Sequence, residues 1–129
     1  MNPIGFVAVG VGAALGAWLR WLLGLALNPL FVALPLGTLA ANLLGGYLVG
    51  AAVGLFHLNA QWPLALKLFA ITGFLGGLTT FSTFSAEVVE RLLAGQPALA
   101  FGLATLHLAG SLTATWLGLA TVGATRIWS

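Results

Sequence analysis

The sequence predicts an all-α membrane protein of four transmembrane helices, and three observations carry the prediction. The 129-residue chain is 60% hydrophobic and 5% charged, with a mean hydropathy of +1.10. Its apolar residues form four runs, each long enough to cross a hydrocarbon core about 30 Å thick. Pro3, Pro29, Pro35, Pro63 and Pro97 all lie at the edges of those runs, where a proline costs little.

A soluble fold coats itself with roughly a quarter charged residues. Here Arg20, Lys67, Glu87, Glu90, Arg91 and Arg126 are the whole complement, so most of the outer surface must face lipid. The excess of two positive charges is too small and scattered to track a phosphate backbone, which disfavours nucleic acid as a partner. Cysteine is absent, removing disulfides, thiolate metal sites and cysteine nucleophiles.

The first span is predicted over 3–27. It lacks a basic leader region, and its apolar run continues from Ile4 to Leu27 without a convincing cleavage site, so it reads as a retained helix. Gly12, Gly16, Arg20 and Gly24 form a stripe at four-residue spacing. Arg20, between Trp18 and Trp21, either snorkels to the interface or sets a positive potential at a vestibule mouth.

The second span, over 34–57, repeats the pattern with Thr38, Asn42, Gly46, Gly50 and Gly54. Small residues in rows let helix backbones approach closely, which matters in lipid because no hydrophobic effect drives helices together there. Asn42 lies near the centre of its helix, where an amide must find a partner. It serves either an interhelical hydrogen bond or an NH₂ donor facing an anion.

The third span is predicted over 63–93 and holds the most informative segment, Gly73-Phe-Leu-Gly-Gly-Leu-Thr-Thr-Phe-Ser-Thr-Phe-Ser85. Gly76 and Gly77 each weaken a helix by about 1 kcal/mol relative to alanine, and Thr79, Thr80, Ser82 and Thr83 compete locally for backbone groups. A break is expected here. Non-helical backbone at membrane depth needs surrounding protein or a water-filled cavity, and it exposes carbonyls able to coordinate an ion. The alternative is a simple kink with hydroxyls bonded to the preceding turn. Phe81 and Phe84, three residues apart, share a helical face. Such a pair is either bundle packing or a set of positively polarised ring edges able to receive a small dehydrated anion.

Glu87 stands four residues before Arg91, the favourable order for a helical ion pair. The fourth span, over 97–126, carries His107, Ser111 and Thr115 as a polar stripe, either a hydrogen-bonded seam or part of a permeation wall. Trp62 and Trp128 suit the headgroup region. Four antiparallel spans place Lys67 and Arg126 on the side of the termini and Arg91 on the other, leaving the positive-inside rule little to act on. A chain so balanced is free to insert in either orientation. No nucleophile, metal cluster or phosphate loop appears, so an enzyme is not expected.

The segments Gly16-Ala-Trp-Leu-Arg20, Gly-Thr-Leu-Ala-Ala-Asn42-Leu-Leu-Gly-Gly and Gly-Phe-Leu-Gly-Gly-Leu-Thr-Thr-Phe81-Ser-Thr-Phe84-Ser-Ala-Glu87 resemble the Fluc/CrcB family of small fluoride channels. The likeness spans essentially the whole chain in its four-helix layout. It implies an antiparallel dual-topology homodimer in the cell inner membrane, with two fluoride pores built from both subunits. By the same resemblance Phe81 and Phe84 are the pore phenylalanines and Asn42 the pore asparagine, with Thr38, Ser82, Thr83 and Ser111 nearby. Carbonyls of Gly76 and Thr79 would hold a structural sodium ion, and Arg20 and Glu87 would line a vestibule. The sequence departs from the family in the fourth span, where a tyrosine and serines are often found and Leu103, His107 and Ser111 stand instead. The activity implied is passive export of cytoplasmic fluoride. One rival is a small proton-coupled multidrug exporter of dual topology, which relies on a buried acidic residue in its first helix, and this first helix has none; the other is a purely structural or assembly subunit whose glycine stripes only pack the bundle.

Overall fold

The computed structural model describes residues 1–128, which contain four helices long and apolar enough to span a membrane. Helix α1 (Pro3–Leu27) starts with the Asn2 side chain accepting the Ile4 N–H at 3.0 Å, the cap expected before a first-turn proline. A 3₁₀ turn over Asn28–Leu30 leads to α2 (Leu36–Leu58), whose Pro35 N-cap offers no side-chain acceptor. Asn28 supplies one instead: its Oδ1 accepts the N–H groups of Gly37 at 2.7 Å and Thr38 at 3.3 Å. Two of the orphan donors that open α2 are thus satisfied from the preceding loop.

The third span is assembled from pieces. α3 (Leu64–Lys67) runs into a π-helical stretch (Leu68–Leu75), a short α4 (Gly76–Leu78), two residues in extended conformation, and α5 (Phe81–Leu93). The last span is α6 (Pro97–Thr121). It ends at Thr121 and not at the expected 126, because Gly123 takes φ +72° and turns the chain out of the helix. The Gly123 and Ala124 N–H groups return to the carbonyls of Ala120 and Leu119, closing the helix end. Gly95, also at φ +72°, ends α5 in the same way, with Gly95 and Gln96 bonded back to Leu92 and Arg91.

The glycine stripes are contact surfaces between backbones. A Cβ on Gly12 or Gly16 would overlap the carbonyl oxygens of Phe69 and Phe74, and one on Gly77 that of Ala13, so α1 lies directly against the first half of the third span. A Cβ on Gly50 would overlap the Thr115 carbonyl, and one on Gly118 that of Tyr47, so α2 and α6 are seated equally closely. Between these two seams lie the buried Ala41, Leu75 and Leu78. Many large apolar side chains point outward, among them Phe6, Trp18, Leu22, Phe101 and Trp116; lipid is the solvent that such a surface fits.

Candidate functional site

The site begins where the third span leaves helical geometry. Thr79 (φ −81°, ψ 153°) and Thr80 (φ −148°, ψ 117°) are extended, so the helical ladder cannot pass through them. Each group thereby released has a traceable fate. The Thr80 N–H, which a continuous helix would give to Gly76, goes instead to Asn42 Oδ1 at 2.8 Å. The Thr83 N–H, which would go to Thr79, is taken at 3.1 Å by the Thr80 hydroxyl as N-cap of α5. The Gly77 carbonyl accepts the Arg20 Nε–H at 3.1 Å. As a result the carbonyls of Gly76 and Thr79 do not receive the N–H four residues on. The Thr79 hydroxyl bonds back to Leu75 at 2.9 Å.

Asn42 carries the centre of this arrangement. Its Oδ1 accepts the Thr80 N–H while its Nδ2 donates to the Thr80 carbonyl at 2.9 Å, so one side chain completes both peptide groups of an extended, buried residue. The second Nδ2 hydrogen points to His107 Nδ1, also at 2.9 Å. Both amide hydrogens are therefore engaged within the chain, an arrangement different from a free NH₂ donor.

Beside this cluster lies an open cavity of about 400 Å³ bordered by Asn42, Gly76, Thr79, Phe81, Phe84 and Ser111 among the residues singled out above. Phe81 and Phe84 meet edge to face, with ring centroids 5.5 Å apart and planes at 74°, the arrangement in which one ring's positive rim meets the other's negative face. Phe81 is 77% exposed in the single chain. Phe84 stacks on His107 at 4.5 Å and 27°.

The remaining predicted residues lie outside the cavity lining. Ser82 reaches the Thr80 hydroxyl at 3.4 Å, and Thr83 takes part through its backbone. Thr38 donates its hydroxyl to Glu87 Oε1 at 2.7 Å. This replaces the expected ion pair between Glu87 and Arg91: Glu87 faces α2, while Arg91 Nη1 donates to Gln96 at the end of α5. Arg20, expected at the interface or a vestibule mouth, directs its Nε–H into the bundle. Leu103 is fully buried, one turn before His107.

Three parts of this site are not legible in the sequence. The π-helical stretch has no composition signal that distinguishes it from an α-helix. The Arg20 contact with Gly77 spans 57 positions. The partnership of Asn42, Thr80 and His107 joins three spans, and only the pairing requirement of a buried amide hinted at it.

Four apolar spans, three of which converge on a cluster of neutral amide, hydroxyl and carbonyl groups, define a multi-pass membrane protein with a polar site between its helices. Residues 7–119 match the family described as "CrcB-like protein, Camphor Resistance (CrcB)", and the chain belongs to that family. Relatives of this chain carry the name "Fluoride-specific ion channel FluC", three of them as follows. That of Dechloromonas aromatica is 78% identical over 129 residues, covering 100% of this chain and 96% of its own. That of Nitrosospira multiformis is 63% identical over 122 residues, 95% of each chain. That of Ralstonia nicotianae is 61% identical, covering 95% of this chain and 97% of its own.

Proposed function

We propose that this protein is a fluoride-selective channel of the bacterial inner membrane, carrying fluoride out of the cell passively and without enzymatic chemistry. The observation that carries the reading is the edge-to-face Phe81 and Phe84 pair on the rim of an open cavity whose other polar walls are neutral. A small, strongly hydrated anion needs replacement donors to shed water, yet must bind weakly enough to leave. Ring edges and uncharged donors meet both demands, whereas a cage of fixed cations would hold the ion. The names of the full-length relatives support the same reading.

The working unit in this proposal is an antiparallel homodimer of dual topology with two pores. Support comes from the cavity's openness to the outside of the single chain, the exposed Phe81 beside it, and the small difference in lysine and arginine between the two membrane faces, Lys67 and Arg126 against Arg91. The interruption of the third span at Thr79 and Thr80 is part of the pathway wall, with Asn42, Ser82, Thr83 and Ser111 around it and Thr38, Glu87 and Arg20 toward a vestibule. Gly76 and Thr79 suit a structural sodium ion: both carbonyls are relieved of helical bonds by Asn42 and Thr80, and uncharged hard oxygens are what an alkali cation takes. When bound, the ion supplies a fixed positive charge that ties these carbonyls together.

Reconstituted protein in liposomes tests the reading. Fluoride efflux without chloride efflux or proton-driven substrate uptake is expected. Phe81→Ile and Phe84→Ile should each reduce fluoride flux severely while the assembly still forms. Normal flux in both variants removes the ring-edge mechanism, and proton-coupled uptake of an organic cation would make the exporter the correct reading.

A further inference from the structure

The amide of Asn42 can be oriented in only one way, because Thr80 presents an N–H to one of its terminal atoms and a C=O to the other. With Nδ2 thus a donor, the His107 Nδ1 that it approaches at 2.9 Å must accept. The imidazole proton of the neutral ring is therefore on Nε2. His107 is 3% exposed, and its Nε2 has no partner among the described residues. A buried N–H without a partner is unfavourable. The ring lies nearly flat on Phe84, which in turn meets Phe81 with its plane steeply inclined. One residue of α6 thus touches both the amide that holds the extended Thr80 and the phenyl ring that borders the cavity. Leucine, alanine and serine lack the flat ring face.

We propose that His107 is a positioning residue of the pathway, held as the Nε2–H tautomer, whose Nδ1 keeps the Asn42 amide clamped on Thr80 and whose ring face sets the tilt of Phe84. The inference rests on the fluoride reading for its consequence, selectivity, but its geometry is tested without it. The chain has two histidines. In nitrogen-15 spectra of histidine-labelled protein in lipid nanodiscs, His57→Gln leaves the His107 signals alone. These should show a protonated Nε2 and a bare Nδ1 near neutral pH, and the Asn42 side-chain hydrogens should exchange slowly with solvent.

Two variants separate the functions of the ring. His107→Phe keeps a flat face for Phe84 but lacks the acceptor, so Asn42 exchange should quicken by about tenfold or more, the equivalent of one lost hydrogen bond. His107→Asn keeps an acceptor oxygen at the Nδ1 position but has no ring, so Asn42 should stay protected while the ratio of fluoride to chloride flux falls about tenfold. A proton on Nδ1 overturns the proposal, as does wild-type exchange and selectivity in both variants. Should His107→Phe fail to fold, the tautomer and the His107→Asn variant still decide. A wild-type protein that carries no fluoride would end the functional reading, while the tautomer and exchange results would still judge the clamp.

Discussion

Replacing Asn42 by alanine is the sharpest test of how the third span is held open at Thr79 and Thr80. The substitution removes three hydrogen bonds of 2.8 to 2.9 Å and strands the N–H and C=O of Thr80, which is buried. Interhelical hydrogen bonds in membranes average about 0.6 kcal/mol each, setting a lower figure of about 2 kcal/mol for the three. A stranded buried polar group costs about 1–3 kcal/mol, so two of them raise the figure to about 2–6 kcal/mol. We expect Asn42→Ala to destabilise the folded protein in bilayer-like micelles by about 2–4 kcal/mol, since some relaxation will re-pair Thr80. The measurement is reversible denaturation followed by tryptophan fluorescence. Hydrogen exchange at the Thr80 amide supplies the local readout and should quicken together with the global change. A loss below about 0.5 kcal/mol, with Thr80 still protected, would refute the idea that one side chain substitutes for the missing helical partners.

Other expectations follow from the same geometry. Gly50→Ala pushes a methyl group into the Thr115 carbonyl and should cost about 1–3 kcal/mol, whereas Gly102→Ala, with open space around it, should be neutral or gain up to about 1 kcal/mol; parallel melting curves compare them. Thr80→Ala removes the N-cap of α5 and should lose about 1 kcal/mol, most of it restored in Thr80→Ser. Gly123→Ala forces a Cβ into a left-handed turn and should cost about 1–2 kcal/mol, read by the same denaturation and by fraying of the last turn of α6 in hydrogen exchange.

The number of spans and their limits could be read from hydropathy and proline placement because both report local, one-dimensional requirements: a length of apolar chain and the places where a helix must not continue. Most boundaries fall within two residues of the expected ones. The end of α6 does not: in the sequence Gly123 lies inside a long apolar run, and only its positive φ makes it a stop. The small-residue rows were legible too, since a stripe at four-residue spacing has few uses other than close approach. Which helix each row meets was not: in α1, Gly12 and Gly16 meet the third span, whereas Gly24 meets Gly37 of α2.

The polar residues divide in the same way. That Asn42 needs a partner follows from the sequence alone, for an amide in a lipid-spanning helix has no water to turn to. That its partners are Thr80 and His107 depends on α2, the third span and α6 converging at one depth, and no local pattern encodes that distance. Likewise Glu87 had a well-placed cation four residues away on its own helix and bonds Thr38 on another. Composition and periodicity determine that this chain lives in a membrane and where it must be polar. Only the packing of backbones at their glycines decides which polar groups meet, because a hydrogen bond is fixed by tenths of an ångström in space and not by spacing along the chain.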